Sequence, residues 1–167
     1  MAEIISFRTA CQLSKKFRSE GKKVIWTSGC FDILHIGHIE FFNKVRRWSG
    51  TDCMLFVGLD SDKYIKTRKD RLSFFSQLQR TKVVSSLSIV DYVVPLPYFE
   101  HKFENFVRRY SLLNPNFVVF GNTEQVRIQR IKKQTQKAGV LFRHLAIKSR
   151  LSSTSHIAQI LHKYFPS

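Results

Sequence analysis

Two histidines bracket a glycine in the run Gly29-Cys30-Phe31-Asp32-Ile33-Leu34-His35-Ile36-Gly37-His38. The run follows an apolar stretch and enters a helical pattern. A loop in that position presents free backbone N–H groups, and a helix start favours negative charge. Gly37 leaves room for a phosphate to approach the backbone. Two imidazoles can donate hydrogen bonds to phosphate oxygens and stabilise charge as it builds. The chemistry that fits is the handling of a phosphate chain, with Gly29, Cys30, Phe31, Asp32 and Gly37 around it and His35 and His38 acting on it. Taken alone, the pair also fits two polar loop histidines, or a zinc site shared with Cys30. No further Cys/His pair has ligand spacing, so no metal site is assigned to protein side chains.

Short apolar runs alternate with amphipathic stretches along the chain. Strands are expected at Val24–Trp26, Met54–Leu59, Tyr92–Val94, Phe117–Phe120 and Val140–Leu145. Helices are expected at Thr9–Arg18, from Gly37 towards Trp48, and at Leu72–Leu87, Lys102–Leu112, Glu124–Lys137 and Ser155–Tyr164. The alternation predicts an α/β fold, a single Rossmann-like doubly wound domain over residues 1–167 with a five-stranded parallel sheet. Near-continuous apolar strands suit a sheet covered on both faces. Ligands of such sheets bind beyond the carboxyl ends of the strands. That rule singles out Ser28 to His38, Leu59 to Arg71, and Gly121 to Gln125, which includes Gly121 and Asn122.

The composition admits a sizeable core, with 43% hydrophobic residues and 15 Phe among 167. No apolar run approaches the roughly 18 residues of a membrane span, and charged residues interrupt the N-terminus too early for a signal peptide. Three cysteines without a CxxC pair suit reduced thiols and a cytoplasmic setting. The formal charge is +16, and from His101 onward twelve Lys and Arg face only Glu104 and Glu124. Such a surplus attracts anions: nucleic acid, nucleotide phosphates or an acidic membrane surface.

His35-Ile36-Gly37-His38 matches the HxGH signature of the cytidylyltransferase-like nucleotidyltransferase superfamily. The longer stretch from Lys22 to His35 resembles the adenylyltransferase domain of bacterial ADP-heptose synthase, and glycerol-3-phosphate cytidylyltransferase has a similar pattern. Ser61-Asp62 with Lys66 and Lys69 is similar to that family's lysine-bearing loop. Arg80 to Pro95 is similar to the segment leading into its third strand, and Leu151 to Ser155 to its Ser-Thr-Thr motif before the last helix. Several motifs in order make the resemblance specific. It implies transfer of a nucleotidyl group to a small phosphorylated acceptor, such as a sugar 1-phosphate, with release of pyrophosphate. The nucleotide implied is ATP rather than CTP. His35 and His38 would hold the nucleotide phosphates and stabilise charge at the α-phosphorus. Lys66, helped by Lys69, would bring positive charge to the transferring group. Ser153, Thr154 and Ser155 would receive the β- and γ-phosphates, or would form a plain helix cap. Mg²⁺ is implied as the triphosphate's counter-charge, and a homodimer is the common state of relatives.

Other residues carry weaker expectations. Arg80 is expected either to bind phosphate or to form a structural ion pair, and Glu124 to contact the acceptor. Asp32 caps the motif loop or touches ligand. His101, His144, His156 and His162 are expected on the surface or in the core. The relatives carry Gly followed by acidic residues after the fourth strand, whereas this chain reads Gly121-Asn122-Thr123-Glu124, which leaves the acceptor open. The relatives' sugar-kinase domain has no counterpart in these residues, so any such activity is expected on another chain. A cytidylyltransferase for a polyol or amino-alcohol phosphate is the near alternative. A non-catalytic nucleic-acid or anion-binding module on the same fold is the distant one, motivated by the charge.

Overall fold

The computed structural model describes residues 1–147 and 162–164. Strands β1 (Glu3–Ile4), β2 (Lys23–Gly29), β3 (Cys53–Leu59), β4 (Tyr92–Pro95), β5 (Phe117–Phe120) and β6 (Leu141–His144) alternate with helices. These are α1 (Phe7–Ser19), α2 (Ile36–Ser49), α3 (Asp62–Lys69), α4 (Gln77–Ser85), α5 (Phe103–Leu113) and α6 (Gln125–Lys137). All strand pairs are parallel, in the order β1-β4-β3-β2-β5-β6. The sheet therefore has six strands rather than the expected five. The added strand is a two-residue edge, held by Ala2 N–H donating to the Ser85 carbonyl and Ile5 N–H to that of Val93.

Strand alternation divides the core in two. Ile25, Leu55, Val57, Leu59, Val93 and Val119 point to one face, where Phe41, Phe42 and Val45 of α2 and Val84 of α4 cover them. Val24, Trp26, Phe56, Val94, Val118 and Phe120 point to the other, under Ala10 and Phe17 of α1, Tyr110 and Leu113 of α5 and Ile131 of α6. Both faces are buried, which is why the strands read as continuous apolar runs. The chain leaves β2 towards β3 and β4 on one side, and β5 and β6 lie on the other. The order thus reverses between β2 and β5, and a crevice opens there at the carboxyl ends.

Two elements differ from expectation. The helix expected at Leu72–Leu87 begins only at Gln77, where Ser76 accepts from Gln79 N–H and the Gln79 side chain reaches back to Ser76 N–H. Before it lies α3, capped by Ser61 accepting from Tyr64 N–H and ended by Asp70 in the left-handed region at φ 50°. The final helix expected at Ser155–Tyr164 falls almost wholly outside the described residues.

Candidate active site

Strand β2 ends at Gly29, and the chain turns through Phe31, which holds a positive φ of 45°. A Cβ on Gly29 would lie 3.2 Å from the Phe31 ring, so the glycine lets that ring fold back over the strand end. Phe31 then packs on Phe42 and on His38, with ring centroids 5.5 and 5.2 Å apart. His35 is the N-cap of α2 and accepts Gly37 N–H at Nδ1 (3.2 Å), while His38 Nδ1 accepts the N–H of His35 (3.3 Å). The two imidazoles lie 4.0 Å apart, centre to centre. An imidazole that accepts at Nδ1 carries its proton on Nε2. Each ring is therefore fixed by the helix start in the tautomer that presents an Nε2–H donor. Burial pushes His38 down to about 3, with help from the nearby charges of His35 and Lys69, so it stays neutral at physiological pH.

Of the two lysines, Lys69 is the one whose charge bears on both His38 and Cys30. Helical geometry gives the reason. Tyr64 and Ile65 form the buried face of α3. Lys69 lies one turn beyond Ile65 and Lys66 lies off that face, and both side chains are exposed.

Asp32 is 3% exposed, and its carboxylate accepts from Arg71 Nη1 (2.7 Å), Phe74 N–H (2.9 Å) and Phe75 N–H (3.3 Å). It fastens the motif loop to the 71–75 segment. Arg80 is buried as well. It donates to the carbonyls of Phe75, Cys30 and Asp60 and to Asp62 Oδ1, the last at 2.7 Å. Of the two roles expected for it, the ion pair is the one present, and its guanidinium is a bolt between three loops. Asn122 clamps the segment after β6, accepting from Ile147 N–H (2.9 Å) and donating to its carbonyl (2.8 Å). Gly121 lets β5 close on α2, because a Cβ there would lie 3.0 Å from Phe41. Glu124 is the N-cap of α6 without a side-chain capping bond. Ser153, Thr154 and Ser155 lie outside the described residues.

Sequence reasoning missed a cavity of about 210 Å³ that opens at the ends of β2, β3 and β5, on the α5/α6 side of the sheet. Ser28 and Asp60 form its inner end, Phe120 and Tyr64 contribute aromatic surface, and Arg68, Arg127 and Arg130 bring three guanidinium groups. His101, expected on the surface or in the core, lines it too, and so does Glu124. Asp60 is 5% exposed and accepts the Cys30 thiol at 3.7 Å. Burial pushes the Asp60 carboxyl up, offset in part by the charges of Arg109 and Arg127. Burial, and then Asp60, push the Cys30 thiol up, so it remains protonated. The cavity residues come from separated elements without a common spacing. Only the rule that ligands sit beyond strand ends points at them, through Asp60 and Glu124.

A doubly wound parallel sheet, a crevice at its topological switch point and paired imidazoles capping α2 define a nucleotide-binding α/β enzyme domain. The family model described as cytidylyltransferase-like matches residues 26–160. The chain belongs to that family and is a nucleotidyltransferase. It is similar to the bifunctional protein HldE of Wolinella succinogenes, 41% identical over 92 residues, or 54% of this chain and 19% of that one. HldE of Aliarcobacter butzleri is 35% identical over 94 residues, 56% of this chain and 19% of its own. The chain thus spans about a fifth of the length of these relatives. Among solved structures, the lipopolysaccharide core biosynthesis protein of Thermoplasma volcanium aligns with a TM-score of 0.60 at 19% identity, over 77% of this chain and 98% of its own. Pantoate-beta-alanine ligase of Francisella tularensis aligns at 0.64 and 13% identity, over 98% of this chain and 78% of its own. At those identities the structures speak for the fold alone. Among the described residues, no helix is long and apolar enough to cross a membrane.

Proposed function

We propose that the chain transfers an adenylyl group from ATP to a small phosphorylated acceptor, such as a sugar 1-phosphate, and releases pyrophosphate. The observation that carries this reading is the pair of imidazoles locked by their Nδ1 atoms onto the start of α2. Their Nε2–H donors are held beside the backbone N–H groups of a helix start, at the point where a parallel sheet binds nucleotides. In the reaction, an oxygen of the acceptor's phosphate attacks the α-phosphorus in line, and pyrophosphate leaves with the β- and γ-phosphates. No covalent enzyme intermediate is required, so positioning and charge neutralisation suffice. His35 and His38 hold the phosphate oxygens and stabilise the charge that builds on them. His38, neutral at physiological pH, does this without first losing a proton. Lys66 and Lys69, in the last turn of α3, bring positive charge to the transferring group. Gly121 lets the β5 end pack closely against α2.

Mg²⁺ belongs to this reading as the triphosphate's counter-charge. Among the described residues no group of three His, Cys, Asp or Glu is arranged to hold an ion. Phosphate oxygens and water would therefore be its ligands, and no step is assigned to a metal held by the protein. The adenylyl donor rests on the resemblance of Lys22–Leu34 and Ser61–Lys66 to the heptose-type pattern. The experiment is pyrophosphate release from ATP and CTP against a panel of sugar and polyol phosphates with Mg²⁺. Turnover with ATP and a sugar 1-phosphate is expected. Preference for CTP with a polyol phosphate would move the chain to the cytidylyl branch, and no pyrophosphate from any pair would overturn the reading.

A further inference from the structure

The cavity on the α5/α6 side lies across the β2 end from the paired histidines, which sit on the α2 side. Its charge is unbalanced. Among the described residues, Arg68 and Arg127 make no hydrogen bond or ion pair, and Arg130 donates only to the His101 carbonyl at 3.3 Å. Behind them Arg109, 8% exposed, lies over the Phe99 ring at 3.6 Å and likewise has no carboxylate partner. Two acids line the cavity. Asp60 is buried at its inner end and engaged with the Cys30 thiol, and burial drives its carboxyl towards the neutral form. Glu124 is exposed and paired with none of the arginines.

Clustered guanidinium groups repel one another and lose hydration in a recess, a cost that an anion of matching shape relieves. Arginine's planar fork matches the oxygens of a phosphate or carboxylate two at a time. Phe120, with Arg127 over its ring at 5.6 Å, and Tyr64 supply apolar surface for a carbon skeleton. Ser28 and Asp60 can meet hydroxyl groups. Cys30 stands between the two sites: Lys69, which acts on His38, also acts on Cys30, as do Arg68 and Arg127.

We infer that this cavity holds the end of the acceptor remote from the transferred group, and that this end carries a second anionic group, a phosphate or carboxylate, received by Arg68, Arg127 and Arg130. The inference rests on the nucleotidyl-transfer reading and narrows it: the acceptor is a hydroxylated carbon skeleton with an anion at each end. One anion attacks at the histidine side, and the other anchors the molecule on the arginines.

The test uses the full chain and two readouts, calorimetric binding and pyrophosphate release. The probes are gluco, manno and galacto hexose 1-phosphates and the corresponding 1,6-bisphosphates. The variants are Arg68→Gln, Arg127→Gln and Arg130→Gln, with Lys132→Gln on the exposed side of α6 as a control for general charge. At least one bisphosphate is expected to bind roughly 10- to 100-fold tighter than its monophosphate, the range of a charge-assisted hydrogen bond or two. Arg127→Gln should remove most of that margin, and Lys132→Gln should keep it. Equal binding of every matched pair would overturn the inference, and so would a margin that survives all three arginine variants. A parallel loss of ATP affinity in Arg127→Gln would also overturn it, since the arginines would then serve the nucleotide. If the margin depends on the arginines but no pyrophosphate forms, the cavity assignment stands and the transfer reading falls. If monophosphates turn over and the arginine variants are silent, the transfer reading stands and the second anion falls.

Discussion

His38 caps a helix in the fold and holds phosphate in the proposed reaction. Its Nδ1 closes the capping box of α2, and its Nε2 is left for phosphate. His38→Ala should lower kcat about 10²- to 10³-fold, the value of one preorganised donor to a developing oxyanion. The lost cap should cost only about 1 kcal/mol of stability. Near-normal turnover in a folded variant would remove the assigned role. The same residue has a pH signature. Its folded-state value near 3 lies below the ordinary 6.5, so the unfolded chain binds the extra proton between those values. The stability this supplies is complete above about 6.5 and is lost as pH falls towards 3. The stability difference between wild type and His38→Gln, followed by urea titration from pH 7.5 to 4.5, should therefore shrink as pH falls. A difference that is constant with pH would mean that His38 is not held neutral. Lys69→Ala should damage kcat more than Lys66→Ala, with little change in melting temperature for either. Equal and small effects would assign both lysines to the general positive surface.

At the scale of elements, the loops beyond the strand ends are fixed by buried polar groups rather than by regular structure. Asp32, Asp62 and Arg80 tie the motif loop, the β3 end and the 71–77 segment into one unit. Arg80→Leu leaves three carbonyls without their donor. It should destabilise the chain by about 3 kcal/mol or more, read by chemical denaturation, and lower activity by loosening the loop that carries His35. Packing inside the sheet is as tight, for a Cβ on Gly58 would come within 2.5 Å of the Trp26 ring. Gly58→Ala should cost roughly 1–3 kcal/mol of strain. The five longer strands and α1, α2, α5 and α6 are legible in the sequence because each buries a full face and shows its period. β1 is not, since two residues carry no period. α3 is hidden because six of its eight residues are polar and its only apolar pair is Tyr64-Ile65. The capping box Ser76-Gln77-Leu78-Gln79 does mark the true start of α4, but the apolar run from Leu72 to Phe75 reads as its first turn. Those side chains are largely exposed instead, Leu72 at 72% and Phe74 at 59%. Of the site, the helix-start motif was legible because its residues are contiguous. The arginine cavity was not, because the sheet assembles it from α3, α6 and three strand ends.

The whole molecule carries +16, far more positive charge than the site itself uses. Part of it lies on Lys132, Lys133 and Lys137, exposed on α6, where the Debye length of about 10 Å at 0.1 M salt screens any single charge from a bound ligand. Its collective effect is a field that draws anions towards the basic side before they touch a specific group. Both substrates of the proposed reaction are anions, so capture should depend on ionic strength while the bound complex should not. We expect kcat/KM for the nucleotide to fall several-fold between about 25 and 300 mM KCl, steeply at first, as for a steered encounter. The value of kcat, which the proposed reaction assigns to His35, His38 and the α3 lysines, should change much less. Reversing α6 surface charges with Lys132→Glu and Lys133→Glu together should flatten the salt dependence and lower kcat/KM at low salt, again with kcat preserved. A flat kcat/KM profile would show that the surplus charge does not serve substrate capture. The competing role for that charge is nucleic acid, which the same measurements can separate. If single-stranded RNA at 150 mM KCl inhibits turnover at concentrations far below the KM for nucleotide, and Lys132→Glu/Lys133→Glu relieves it, the basic side belongs to a nucleic-acid partner. If RNA inhibits only weakly and loses its effect with salt in step with kcat/KM, one unspecific field accounts for both.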